Sequence, residues 1–186
     1  MTQELMKPMN LRRCLSLLAA LTLGGCLGMP KNVSPVSGFE LSRYLGKWYE
    51  IARLDHSFER GMERVTAEYS LRDGGGVAVR NRGFLTAKGE WKEAEGKAFF
   101  VDEPGTGYLK VSFFGPFYGS YVIFELDKEN YQYAFVSGPD HSYLWLLSRT
   151  PTVEPELLAR FIEQARQRGF DTTKLIHVKH SANTLP

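Results

Sequence analysis

The stretch Gly46-Lys47-Trp48-Tyr49-Glu50 opens the first β-rich segment of this 186-residue chain, and Leu146-Leu147-Ser148-Arg149-Thr150-Pro151 closes the last of a series of such segments. A small barrel must be plugged at the end through which its chain enters. A tryptophan ring beneath an arginine guanidinium does this through burial and cation–π attraction. The two stretches therefore predict a closed barrel whose entry end is sealed by Trp48 and Arg149.

The N-terminal residues have the layout of a secretory signal peptide. Basic side chains precede an apolar run over residues 15–23, which is too short to span a bilayer as a helix. Small residues follow, and Leu23-Gly24-Gly25-Cys26 resembles a bacterial lipobox. We predict that residues 1–25 are removed and that Cys26 becomes the lipidated N-terminus, with lipid on its thiol and its amine.

Removal of this segment leaves one domain with balanced charge. Residues 1–25 contain Lys7, Arg12 and Arg13 against Glu4, so the remainder carries equal numbers of basic and acidic side chains. A neutral domain without basic clusters argues against nucleic acid as a partner. The other cysteine, Cys14, lies in the removed segment, so we expect no intrachain disulfide.

Composition divides the remaining chain into a linker, a folded domain and a tail. Residues 26–38 are rich in Gly, Pro, Ser and Asn, which predicts a lipidated flexible tether. A single domain is expected over residues 39–180, followed by a short tail at 181–186. The length suits one domain with a sizeable core.

Alternation of apolar and polar side chains predicts an all-β fold. In Val65-Thr66-Ala67-Glu68-Tyr69-Ser70-Leu71-Arg72 the odd-numbered positions share one face, and Asp73-Gly74-Gly75-Gly76 predicts a hairpin turn into the next strand. Eight sequential strands with short connections are typical of an up-and-down antiparallel barrel. One amphipathic C-terminal α-helix packed on the barrel and a short final strand follow. The other predicted strands cover residues 48–54, 90–102, 108–114, 117–127, 131–137 and 143–148, the helix begins near 154, and the final strand covers 175–178.

The order of motifs resembles the lipocalin family over about residues 38–180. Gly46-x-Trp48, a corner at 127–133, Arg149 and the following helix form the general pattern. The bacterial outer-membrane lipoprotein lipocalins are resembled more closely in Trp48-Tyr49-Glu50-Ile51-Ala52-Arg53-Leu54-Asp55, Asn81-Arg82-Gly83, Phe113-Phe114-Gly115-Pro116-Phe117 and Leu144-Trp145-Leu146-Leu147-Ser148-Arg149-Thr150-Pro151. The corner Asp127-Lys128-Glu129-Asn130-Tyr131 is longer than the family's Thr-Asp-Tyr, which leaves strand pairing there open.

This resemblance implies a calyx that binds an apolar ligand, with fatty acids or lysophospholipids favoured in bacterial members. Leu27 stands after the predicted lipidated cysteine in place of the Asp that is associated with inner-membrane retention. The resemblance therefore implies anchoring to the outer membrane, with the domain facing the periplasm. It also leaves a homodimer open, because some relatives self-associate.

Strand parity then assigns the interior. Counting back by two from Arg149 places Leu147, Trp145 and Tyr143 inside. The same alternation places further side chains inside: Ala67, Tyr69, Val77, Val79, Asn81, Ala98, Phe100, Leu109, Val111, Tyr121, Ile123, Ala134 and Val136. Such a lining suits a buried acyl chain with a few polar contacts. We predict that the ligand contacts Tyr69, Asn81, Phe100, Tyr121, Tyr143 and Trp145.

Catalysis and metal binding are not predicted. The chain has no Gly-x-Ser-x-Gly elbow, and its one remaining thiol is expected to be acylated. His56 and His141 are interpreted as solvated loop residues, and we predict no metal site and no cofactor. An alternative function is an envelope protein-interaction module with a filled barrel core, whose contacts would be Asp55–Gly61 and Pro139–Ser142.

Overall fold

Eight antiparallel strands close into a barrel in the computed structural model of the protein, which describes residues 27–180. The predicted barrel with one C-terminal helix and an extra strand is thereby confirmed. The predicted signal peptide, Cys26 and the tail at 181–186 lie outside the described residues. The elements in chain order are α1 (Leu41–Tyr44), β1 (Gly46–Arg53), β2 (Met62–Leu71), β3 (Val77–Leu85), β4 (Glu90–Phe100), β5 (Tyr108–Ser112), β6 (Gly119–Leu126), β7 (Tyr133–Ser137), β8 (Leu144–Ser148), α2 (Pro155–Gln167), a 3₁₀ turn (Thr172–Lys174) and β9 (Ile176–His177).

Strand β1 closes the ring by pairing with both β2 and β8. Trp48 lies opposite Ala67 of β2, and the register of β1 against β8 shifts at a bulge between Glu50 and Ala52. Beyond the bulge, β1 leaves β2 and pairs instead with β9, Ala52 lying opposite His177. A bulge re-aims the side chains that follow it. One end of the barrel wall therefore includes a strand from the C-terminal part of the chain.

The other end is sealed by the predicted Trp48–Arg149 contact. The guanidinium carbon of Arg149 lies 3.9 Å from the centroid of the buried Trp48 ring. Arg149 also donates hydrogen bonds to the backbone carbonyls of Arg43, Lys47 and Tyr131. These contacts join the segment before β1 to the end of β8, so this end of the barrel is closed.

Helix α2 packs on the outer face of the barrel, as its apolar stripe predicts. Glu154 is its N-cap, Pro155 occupies its first turn, and Gly169 with φ of +92° follows its C-terminus. Phe161 and Ala165 are buried there, and the Phe161 ring lies 5.0 Å from that of Phe135 on β7. The strands therefore serve two hydrophobic cores, one inside the ring and one beneath the helix.

The segment predicted as a flexible tether is held against the barrel in its described part. Val33 is buried in the outer core, and the Val36 amide donates to the carbonyl of Ile123 at 2.9 Å. At its start, the Gly28 amide donates to the Ser120 hydroxyl at 2.9 Å. Val33 buries apolar surface and the backbone bonds to β6, contacts that the polar composition of the segment does not reveal.

Two predictions about strand ends were wrong. Leu71 was predicted to share a strand face with the inward-facing Ala67 and Tyr69, but β2 ends at this residue and its side chain is 68 % exposed. Phe114 and Phe117 were assigned to strands, but both lie in the loop between β5 and β6. Periodicity identified these strands and missed their ends. The pairing of β1 with β2 ends at Tyr69, before Leu71, and Phe114 and Phe117 lie beyond the last paired residues of β5 and β6.

The long corner after β6 does not disturb the pairing of its flanking strands. Leu126 remains opposite Ala134, and the Asp127 amide donates to the carbonyl of Tyr133 at 3.1 Å. The extra residues form a turn in which Tyr131 has a φ of +56° and donates its amide to the Asp127 carbonyl at 2.8 Å. The extra residues of the corner therefore do not prevent the pairing of β6 with β7.

Candidate functional site

An apolar cavity occupies the barrel interior and opens at the end opposite Trp48. Its volume is about 790 Å³, within the range of about 300–1,000 Å³ that is usual for small-molecule sites. The interior is therefore open, and not filled as the alternative of a protein-interaction module had assumed. The aliphatic side chains that line the cavity come from the inward faces of the strands and include Val65, Ala67, Val77, Val79, Ala98, Leu109, Val111 and Leu147.

Most of the residues predicted to contact a ligand line this cavity. They are Tyr69, Asn81, Tyr121, Tyr143 and Trp145. Phe100 is not among the lining residues: it packs edge-on against Phe39 near the closed end, with ring centroids 6.1 Å apart. Parity placed Phe100 on the inward face, but the interior is filled at that level. Ligand contact by the lining residues stays a prediction.

Three tyrosine hydroxyls meet at the floor of the cavity. The Tyr121 hydroxyl oxygen lies 2.7 Å from that of Tyr44 and 2.8 Å from that of Tyr69. Burial raises the pKa of all three phenols, so they stay protonated at neutral pH. Two mutual bonds use two of the three O–H donors, so a ligand oxygen at the floor could accept the third.

Two further polar groups line the wall of the cavity. The Asn81 Oδ1 and Ser112 Oγ atoms are buried, and neither has a hydrogen-bond partner among the described residues. A buried polar atom without a partner costs about 1–3 kcal/mol. A polar atom of a ligand that reached either group would recover part of this cost, which favours a ligand that is mostly but not entirely apolar.

A buried ionic cluster fastens the loop between β1 and β2 at the open end. The Arg53 guanidinium donates to Glu50 Oε1 at 2.6 Å and to the backbone carbonyl of Glu59 at 2.8 Å. Trp145 Nε1 donates to Glu59 Oε2 at 3.2 Å. Burial raises the pKa of both Glu50 and Glu59, and the nearby Glu59 raises that of Glu50 further. One cation thus faces two carboxyl groups that resist ionising together.

His56 lies in the same loop and is buried, contrary to the prediction of a solvated residue. Its ring stacks on Phe58 and Tyr143, with centroids 5.2 Å and 4.9 Å away. Burial lowers the pKa of His56 to about 4, and the charge of Arg53 acts in the same direction. The imidazole is therefore neutral at pH 7 and serves as one layer of an aromatic stack at the mouth.

We expect the His56→Phe variant to lose part of the acid sensitivity of the protein. An unfolded chain takes up a proton on His56 near pH 6.5, whereas the folded protein does so only near pH 4. Stability from this residue is therefore complete above about pH 6.5 and falls as the pH drops toward 4. Urea unfolding across this range should show a shallower pH slope for His56→Phe than for wild type. The exposed His177, changed to Phe, should keep the wild-type slope; equal slopes in all three proteins would contradict the assignment.

Aromatic side chains also stand on the rim of the cavity. Phe58, Phe114 and Phe117 line the mouth and are exposed to solvent. They come from two loops, the one after β1 and the one after β5. Exposed apolar groups clustered at one place on a soluble domain mark an interaction surface.

Within residues 27–180, no group of three or more His, Cys, Asp or Glu side chains is placed to hold a metal ion. No helix in that range is long and apolar enough to cross a membrane.

Sequence reasoning missed several residues of this site. Glu50 could have been found, because it lies two positions after Trp48 on the same strand. Strand parity could not place Arg53 on the inward face, because the bulge between Glu50 and Ala52 changes the alternation. Tyr44 lies on α1, where strand parity has no meaning. Phe114 and Phe117 gave a signal only through the repeated aromatics of Phe113-Phe114-Gly115-Pro116-Phe117, and Phe58 only as part of the loop Asp55–Gly61.

Similarity to known proteins was found at the levels of family, sequence and structure. Residues 39–180 match the lipocalin-like domain family. The chain is 66 % identical over 169 residues to the outer membrane lipoprotein Blc of Vibrio cholerae, covering 91 % of this chain and 99 % of that protein. It is 53 % identical over 150 residues to the protein of the same name from Escherichia coli K12, covering 81 % of this chain and 84 % of that one.

A solved structure shares the fold at lower sequence similarity. Insecticyanin from the tobacco hornworm superposes with a TM-score of 0.66 at 23 % identity, covering 83 % of this chain and 88 % of that one. The ring of eight strands agrees with this match. Family match, sequence similarity and geometry lead to one assignment: the chain belongs to the lipocalin family.

Proposed function

We propose that this protein is a lipid-anchored lipocalin of the outer membrane, facing the periplasm, that stores or carries fatty acids or lysophospholipids without catalysing a reaction. The observation that carries the proposal is the apolar cavity of about 790 Å³ with one open end. The relatives named outer membrane lipoproteins support the location. Cys26, after its lipobox-like stretch, is the residue we assign to the anchor.

The distribution of polar groups supports a single-chain lipid. The wall between floor and mouth is largely aliphatic, so each methylene placed there gains about 0.8 kcal/mol. Polar partners are grouped at a few points: the tyrosine floor, Asn81 and Ser112 in the wall, the Glu50–Glu59 cluster toward the open end, and the rim. A head group left at the open mouth stays in water while the acyl chain is buried.

The test is native mass spectrometry of residues 27–186 with graded lysophospholipid or fatty acid. Binding should saturate at one ligand per barrel, and the same spectra report whether the protein forms dimers. If a folded domain showed no saturable binding of either lipid class, the proposal would be rejected.

A matched pair of variants locates the site. Ala67 on β2 lines the cavity, whereas Ala78 on β3 lies between the inward-facing Val77 and Val79 and points outward. Ala67→Trp should displace about three to four methylenes of ligand, which corresponds to roughly a hundredfold loss of affinity. Ala78→Trp should bind like wild type. Equal affinities for the two variants would place the ligand outside the barrel.

A further inference from the structure

We infer that the open mouth of the barrel docks on the surface of the bilayer that holds the lipid anchor, so that lipid can pass between membrane and cavity without crossing water. The inference rests on the proposed anchoring at Cys26. It adds an orientation and a membrane-contact surface, which we call the mouth rim and define as Phe58, Phe114 and Phe117.

The start of the described chain lies at the mouth. The Gly28 amide donates to the Ser120 hydroxyl at 2.9 Å, and a Cβ on Gly28 would lie 4.0 Å from the carbonyl oxygen of Pro139. Ser120 and Pro139 both line the cavity. Residues 28–36 then run along β6 toward the closed end, where Phe39 donates its amide to Gly105. The described chain thus begins at the open end and reaches the closed end before β1 starts.

Covalent geometry keeps the anchor close to that point. Two residues of extended chain span at most about 7 Å, so Cys26 cannot lie farther than this from Gly28. A lipid on Cys26 therefore holds the mouth end, and not the end sealed by Trp48, next to the bilayer. Because the segment after Gly28 is packed on β6, it cannot act as a long spacer that would let the domain turn over freely.

The mouth rim has the character of a membrane-contact surface. Phe114 is 80 % exposed and Phe117 is 69 % exposed, and Leu27, directly after Cys26, is also exposed. Aromatic and aliphatic side chains grouped in this way insert into the boundary between head groups and acyl chains, to a depth of about 5–10 Å. A second copy of the chain could also cover them, but the anchor already brings a bilayer to this end.

Charge does not dominate this surface. Arg60 and Lys92 also stand at the mouth, but the Arg60 guanidinium lies 2.7 Å from Asp55 and the Lys92 ammonium 3.0 Å from Glu90. Paired charges contribute little attraction to anionic lipid, and docking through burial of phenylalanines should be nearly independent of salt. Strong weakening by salt would contradict docking by the mouth rim.

The experiment uses the full lipidated protein, with its mass confirming the anchor, in vesicles of phosphatidylethanolamine with a minor fraction of phosphatidylglycerol. Cys14 and Cys26 are the only natural cysteines, so a cysteine introduced by Phe117→Cys is the one free thiol of the processed protein and can carry an environment-sensitive fluorophore. Leu71→Cys is the control, because Leu71 is as exposed as Phe117 and lies at the closed end.

Bilayer-embedded quenchers should quench the probe at position 117 at least about threefold more than the probe at position 71, as insertion of the rim requires. Equal quenching would overturn the inference. If the emission of the probe at position 117 changed with protein concentration and was not quenched from the bilayer, the inference would also be overturned. The mouth rim would then be a contact surface between two copies of the chain.

A second measurement separates this inference from the proposed function. In the Phe114→Ser/Phe117→Ser protein, the rate of lysophospholipid uptake from vesicles should fall about tenfold more than the affinity for lysophospholipid in solution, because the rim no longer reaches the acyl region. Absence of binding by wild type would reject the proposed function. If wild type bound lysophospholipid and the rim variant took it up from vesicles at the wild-type rate, docking would be rejected and the proposed function would stand.

Discussion

The Trp48→Ala variant should be the least stable single truncation inside the barrel, with a loss of about 4 kcal/mol in the free energy of unfolding. The indole is fully buried, donates its Nε1–H to the Tyr44 carbonyl at 2.8 Å and lies beneath the Arg149 guanidinium. Truncation leaves a hole at the sealed end and exposes the floor of the cavity. Urea unfolding should show a lower midpoint with a similar slope.

The control for Trp48→Ala is Trp91→Ala, because Trp91 is 42 % exposed on the outer face of β4. We expect it to lose less than half as much stability. An Arg149→Leu variant, combined with Trp48→Ala in a double-mutant cycle, should reveal a favourable coupling of about 1 kcal/mol or more. Additive losses would show that Arg149 holds the backbone through its three carbonyl contacts and that the ring adds nothing.

The second large effect is expected for Arg53→Met. Arg53 is the only cation in contact with the buried carboxyl groups of Glu50 and Glu59 among the described contacts. Removing it leaves both acids buried without a counter-charge, and breaking a buried pair in this way costs about 3–5 kcal/mol. The loop after β1 also loses the bonds from Arg53 to the carbonyls of Glu59 and Met62.

The loss caused by Arg53→Met should depend on pH in a defined direction. Burial raises the pKa of Glu50 and of Glu59 in the folded protein, so the folded state holds protons that the unfolded state has released. Stability then falls as the pH rises above the ordinary glutamate value of 4.5, and without Arg53 this fall becomes steeper. Unfolding measured at pH 4.5 and at neutral pH should therefore show the larger deficit at neutral pH.

Arg60→Met is the matched control for Arg53→Met. It removes an arginine from the same loop, but the Arg60–Asp55 pair is exposed, so no measurable change in stability is expected. A Glu50→Gln/Arg53→Met double variant should recover part of the loss, because one buried acid is gone. A deficit that is the same at both pH values would mean that packing, and not charge, holds this loop.

The sequence predicted the architecture well because the architecture depends on periodic signals. The alternation in Val65–Arg72, the hairpin glycines and the helical spacing after Pro155 each appear at the period that the structure uses. Parity counted from Arg149 placed Trp145 and Tyr143 on the cavity wall without any knowledge of the cavity. Alternation survives wherever strands pair without interruption.

The misses concern residues whose positions depend on interruptions or on contacts between distant segments. The bulge in β1 turns the Arg53 side chain toward the interior, and no local sequence pattern predicts this bulge. His56 is buried because Phe58, Tyr143 and Trp145 close around it from segments far apart in sequence. Phe100 satisfies the inward parity but lies below the cavity, since parity gives the face of a strand and not the depth along the barrel.

The position of β9 has a consequence for how the protein is made. His177 pairs with Ala52, and the carbonyl of Lys179 accepts a hydrogen bond from the Arg64 amide at 2.8 Å, so the segment around β9 bridges β1 and β2 where these two strands separate. This seam joins parts of the chain far apart in sequence, and such distant pairing slows folding. Because a chain is made from its N-terminus, β1 and β2 exist before β9 does, and the seam between them cannot close until β9 has been made. The barrel without this seam should therefore be the form that is open to chaperones and proteases while the chain is being made.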